Sequence, residues 1–84
     1  MATFQGALIR EQGQTFAIAV VKNHVLTSDS SRQRAARSFA AIFGFGVPIV
    51  LMGEDGKLWG RQDIVRFLSH VSMDRIPWKR YTVS

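Results

Sequence analysis

The chain has 84 residues, no cysteine and a formal charge of +5, from 11 Lys and Arg against 6 Asp and Glu. That length supports one domain, residues 1–84; a second would lack a core. The missing cysteine excludes disulfides, thiolate metal sites and thiol chemistry, so an apolar fraction of 46% must build the core alone. Most of the cations are arginine, the better residue for bidentate contacts to phosphate or carboxylate, and the balance favours anionic partners.

The opening MATFQGALIREQ shows no basic segment followed by a long apolar stretch. The longest apolar runs, FAIAVV and VPIVLM, fall far short of the ~20 residues that a membrane-spanning helix needs. A cytoplasmic protein is expected.

Phe4 to Ile9 and Thr15 to Val21 are strand-like runs around Glu11-Gln12-Gly13-Gln14, which predicts a hairpin. Lys22-Asn23-His24 interrupts the pattern, and Ser28-Asp29-Ser30-Ser31 reads as a helix start. Ser30 and Gln33 have capping-box spacing, and Asp29 suits the positive end of the helix dipole. Between Arg32 and Phe43, Ala36, Phe39, Ala40 and Phe43 form one stripe at helical spacing, with Ala35 and Ile42 beside it. Arg34, Arg37 and Ser38 take the other side. Gly44 and Gly46 end this helix.

Val47 to Met52 predicts a strand, Glu54-Asp55-Gly56 a tight turn, and Lys57-Leu58-Trp59 a short return strand. A second helix opens at Gly60 or Arg61, with Asp63 in its first turn. Ile64, Phe67, Leu68 and Val71 follow at i, i+3, i+4 and i+7, the strongest helical signal in the chain. The closing IPWKRYTV predicts an edge strand, to which Pro77, Lys79 and Arg80 are suited. Alternation puts Trp78 with Ile76 on one face and Tyr81 with Lys79 on the other, so the two aromatics form no common stacking platform.

The order ββαββαβ describes a small α/β (α+β) domain with a mixed sheet of about five strands. FAIAVV and VPIVLM do not alternate apolar with polar residues, so each needs cover on both faces. Two helices on opposite faces meet that need. The alternative is a two-layer sandwich, with both helices on one face and dimerisation through the other.

Gly46-Val47-Pro48-Ile49-Val50-Leu51-Met52, then Asp55-Gly56-Lys57-Leu58-Trp59-Gly60, then Ile64-Val65-Arg66-Phe67-Leu68, resemble the carboxyl half of thioredoxin-like and glutaredoxin-like domains. These segments cover about a third of the chain. The resemblance implies a cis Val47–Pro48 bond and a backbone edge at Val47 and Pro48 that binds a peptide or glutathione. With no cysteine, thiol–disulfide exchange is excluded. A redox-inactive relative that kept a binding edge is what the resemblance implies.

Nothing in the sequence assembles catalytic chemistry. His24 and His70 are isolated, and the nearby letters His24, Asp29 and Ser31 are not a triad by proximity alone. Glu54 and Asp55 are accounted for by their turn. Gly44-Phe45-Gly46 leads into a strand, whereas phosphate-cradling glycines precede a helix. The strand at Lys57-Leu58-Trp59-Gly60 lacks the interleaved aromatics of an RNA-recognition module. No metal and no cofactor are expected.

The reading is a non-enzymatic interaction module whose partner is another protein or a second copy, through extension of a strand edge. Binding of nucleic acid or another polyanion through Arg34, Arg37 and Arg66 is the alternative, and it requires those three to share a surface.

Overall fold

The computed structural model describes residues 2–11 and 13–83. Its elements are β1 (Ala2–Glu11), β2 (Gln14–Val21), a 3-10 turn (Asn23–Thr27), α1 (Asp29–Phe43), β3 (Ile49–Gly53), β4 (Leu58–Trp59), α2 (Gln62–Leu68), a second 3-10 turn (Met73–Arg75) and β5 (Lys79–Val83). The strands form one mixed sheet in the order β4-β3-β2-β1-β5. β2 and β3 are parallel, and the other neighbouring pairs are antiparallel. The radius of gyration of 11.9 Å matches the value of about 12 Å expected for a compact chain of this length.

The doubly apolar runs occupy the interior of the sheet. Phe16, Ala17, Ile18 and Ala19 of β2 are all buried, as are the successive Val50 and Leu51 of β3. Neighbouring strand residues point to opposite faces, so both sides of these strands are covered. On one side, Ile64 and Leu68 of α2 join Ala7, Ile9, Phe16, Ile18 and Val50 in a single cluster. Phe67 meets Phe16 there edge-on at 6.0 Å.

On the other side, Phe39 and Phe43 of α1 meet Phe4 of β1 at 4.7 and 6.1 Å. The register places Phe4, Gly6, Ala17, Ala19 and Leu51 on this face. Its small residues let the helix approach closely. A Cβ at Gly6 would stand 2.8 Å from the Ile18 carbonyl oxygen, 3.1 Å from the Phe4 ring and 3.4 Å from Phe43. The helices therefore lie on opposite faces, and the one-sided sandwich is excluded.

Local chemistry accounts for the boundaries. Gly13, at φ 74°, supplies the left-handed conformation of the tight β1–β2 turn. Ser28, in extended conformation, accepts a hydrogen bond from the Ser31 backbone N–H. Ser28 is thus the cap in place of Ser30, and the helix starts at Asp29, inside the Ser28–Ser31 segment read as its opening. Asp29 in the first turn pairs with Arg32 at 2.8 Å.

α2 ends at Leu68, earlier than its apolar stripe suggests, but Val71 still packs against the core from the following turn. The last strand is also shorter than IPWKRYTV. Ile76 is drawn into the core, and the Trp78 N–H bonds back to the Ile76 carbonyl at 2.7 Å. With Pro77 lacking an N–H, that segment turns away from the sheet, and β5 begins only at Lys79.

Arg32, read from sequence only as a helix position, ties three elements together. Its guanidinium donates to the Leu26 carbonyl at 2.8 Å, pairs with Asp29, and lies 5.7 Å from the centre of the Trp59 ring. It joins the 3-10 turn, α1 and the β4 edge.

Substitutions on the two faces should both destabilise, for opposite reasons. Ile18→Ala, which opens a cavity beneath α2, should cost about 2–5 kcal/mol. Gly6→Ala, which overfills the α1 side, should cost about 1–3 kcal/mol. Urea unfolding with an unchanged m-value checks both.

Candidate functional site

The two outer edges of the sheet differ in how they are closed. β4 is a two-residue strand, which keeps its edge short. On the other side, β5 pairs with β1 only from Ala2↔Val83 to Gly6↔Lys79. β1 continues to Glu11, still paired on its inner side with β2. Residues 7–11 therefore have β2 on one flank and, among the described residues, no strand on the other.

The orientation of the exposed groups follows from the hydrogen-bond ladder. The Ala17 N–H donates to the Pro48 carbonyl at 2.9 Å, toward β3 and away from β1. Its β1 partner Leu8 is thus in a pair that exchanges no bonds across β1–β2. Alternation makes Arg10 the next such residue. The backbone N–H and C=O of Leu8 and Arg10 both point outward, past the end of β5. Among the described residues, no loop backbone group bonds to them. Leu8 is also 45% exposed.

A groove of about 410 Å³ runs along this open stretch. Leu8 to Glu11 form one wall; Phe67, Leu68 and Val71 from α2 and its following turn, with Arg75, Ile76 and Pro77, form the rest. Arg10, Arg75 and Glu11 are exposed. Beside Arg75, the Ser72 hydroxyl donates to the Asp74 carboxylate; that bond first, then one from its own backbone N–H, holds Asp74 below the ordinary carboxylate range.

The residues singled out from sequence lie elsewhere. Arg34 and Arg37 are exposed on α1, and Arg66 is exposed on α2. These helices cover opposite faces, so the three arginines do not merge into one surface. The Val47–Pro48 bond is trans, unlike the cis bond implied by the thioredoxin-like resemblance. Val47 donates its N–H to Gly44 at 3.1 Å and Pro48 accepts from Ala17, so both residues are engaged within the fold.

His24 and His70 are exposed, and Glu54 and Asp55 are exposed in the β3–β4 turn. There the Asp55 N–H reaches the Asn23 side chain at 3.3 Å, and the Asp55 carboxylate accepts from the Lys57 N–H at 3.1 Å. Among the described residues, no three His, Asp or Glu side chains gather as a metal-binding group. No helix among them is long and apolar enough to cross a membrane.

The tail aromatics separate, but not by strand alternation, because Trp78 precedes β5 and only Tyr81 lies in it. Trp78 packs against the α2-side core. Tyr81 has more than Lys79 for company: it stacks on Phe4 at 5.2 Å and meets Phe43 edge-on at 5.0 Å. The sequence offered no signal for the open edge, because it depends on the unequal lengths of β1 and β5.

Hydrogen exchange reads the edge directly. The Leu8 and Arg10 amides should exchange at least about tenfold faster than those of Ala7 and Ile9, whose N–H groups point into the sheet. Residue-resolved NMR exchange provides the check.

Comparison with protein-family models, with curated proteins and with solved structures finds no match for this chain.

Proposed function

We propose that the chain is a non-enzymatic interaction module that binds another protein by accepting an extended segment beside β1. The carrying observation is the open run from Leu8 to Glu11, where a sheet edge stands over an apolar groove. Strand addition uses these two parts together: backbone hydrogen bonds supply affinity, and pockets for alternate side chains supply selectivity. The rest of the edge is guarded by β5, with Lys79 and Arg80 exposed along it. A long unguarded apolar edge invites aggregation, whereas a short one next to a groove suits a dedicated partner.

A displayed library of random decapeptides, selected on the immobilised protein, tests the reading. Leu8→Pro removes an outward N–H that makes no backbone bond among the described residues, and proline is tolerated at such positions. The variant should keep the native circular dichroism spectrum and bind the selected peptides at least about tenfold more weakly. Retention of no peptide, or equal binding by the folded Leu8→Pro variant, would contradict the proposal.

A further inference from the structure

We infer that the segment taken up at β1 is acidic, with a large apolar residue set opposite Ile9. This inference rests on the strand-addition reading and names its partner. In a paired strand, directly opposed residues project to the same face. Ile9 faces the α2 side, so the ligand residue opposite it enters the groove against Phe67, Leu68, Val71 and Ile76. An aliphatic or aromatic side chain fits that lining.

The neighbouring ligand positions, opposite Leu8 and Arg10, project to the other face. A carboxylate opposite Arg10 gains a cross-strand ion pair at an exposed position. Arg75 lines the groove on the α2 side with the Asp74 carboxylate next to it, so it adds only to the general positive charge around the edge, and Arg10 carries the cross-strand pairing. Glu11 lies on the Ile9 face and disfavours an acid directly opposite itself. The selected pattern is therefore an alternation of apolar residues toward α2 and acidic residues toward α1.

Charge separates this partner from a second copy. Two copies paired edge to edge around Ile9 would set each Arg10 against Leu8 of the other copy, where no carboxylate answers it. They would also bring together two chains of charge +5. An acidic segment relieves that repulsion and is steered to the edge by it.

The probe is a short, end-blocked, fluorescent peptide that alternates glutamate with valine or leucine; its control carries lysine for every glutamate. By fluorescence anisotropy in low salt, the glutamate peptide should bind at least about tenfold more tightly than the lysine control. The double variant Arg10→Glu with Arg75→Glu, altered only at exposed positions, should reverse that preference. Leu8→Pro should weaken the glutamate peptide although its charge is unchanged, which separates strand addition from general attraction between opposite charges.

Equal binding of the two peptides, or glutamate-peptide binding that survives Leu8→Pro, overturns the inference. If library-selected peptides depend on Leu8 but ignore the double charge reversal, strand addition stands and the acidic partner falls. If no peptide binds and sedimentation shows a dimer abolished by Leu8→Pro, the occupant is a second copy. If nothing binds and the chain stays monomeric, both readings fall and Arg10 is a guard on the edge.

Discussion

Everything in this fold depends on two strands that cannot tolerate water on either side. β2 and β3 carry apolar residues at successive positions, and strand geometry sends these to opposite faces. Fully burying each large aliphatic side chain such as Ile18 or Leu51 contributes about 1.5–3 kcal/mol. A chain of 84 residues has little stability to spare. Leaving one face bare would forfeit several such contributions at once, and the fold answers with one helix on each side.

The two sides achieve this burial differently. Under α2 the contacts are between bulky aliphatic residues and the buried Phe16, with the partly buried Phe67 meeting its ring from α2. Under α1 the sheet offers Gly6, Ala17 and Ala19, and the bulk comes from a cluster of Phe4, Phe39, Phe43 and Tyr81. Well-placed aromatic pairs add about 0.5–1.5 kcal/mol each beyond their buried area. Tyr81 thereby anchors β5 to β1 over the first part of that strand. At the other end Ile76 is pulled into the α2 side, and the chain between them leaves the sheet line. The open β1 edge is the geometric result of those two anchors.

This is also why some of the molecule was readable and some was not. The interior strands and both helices followed from runs and stripes local in sequence, FAIAVV, VPIVLM, and Ile64 with Phe67 and Leu68; these runs required cover on both faces but left open whether the second helix or a second copy supplied it. Ser28 and Ser30 each have a polar residue three positions on, and only the backbone distinguishes the true cap. The start of β5 depends on whether Ile76 is held by the sheet or by the core, a competition between distant elements. Arg32 looked like any polar residue opening a helix, because its carbonyl and aromatic partners at Leu26 and Trp59 meet it only in the folded chain. The open edge is a mismatch between two strands far apart in sequence, and no single stretch encodes it.

The most direct test of the two-faced sheet is a set of aromatic and methyl nuclear Overhauser contacts in a dilute sample shown to be monomeric. The account predicts contacts from Phe39 and Phe43 to Gly6 and Phe4, and separate contacts from Ile64 and Leu68 to Ile18 and Val50, all at once in one molecule. Contacts from α1 and α2 to the same face of β2, with the other face open to solvent, would contradict it.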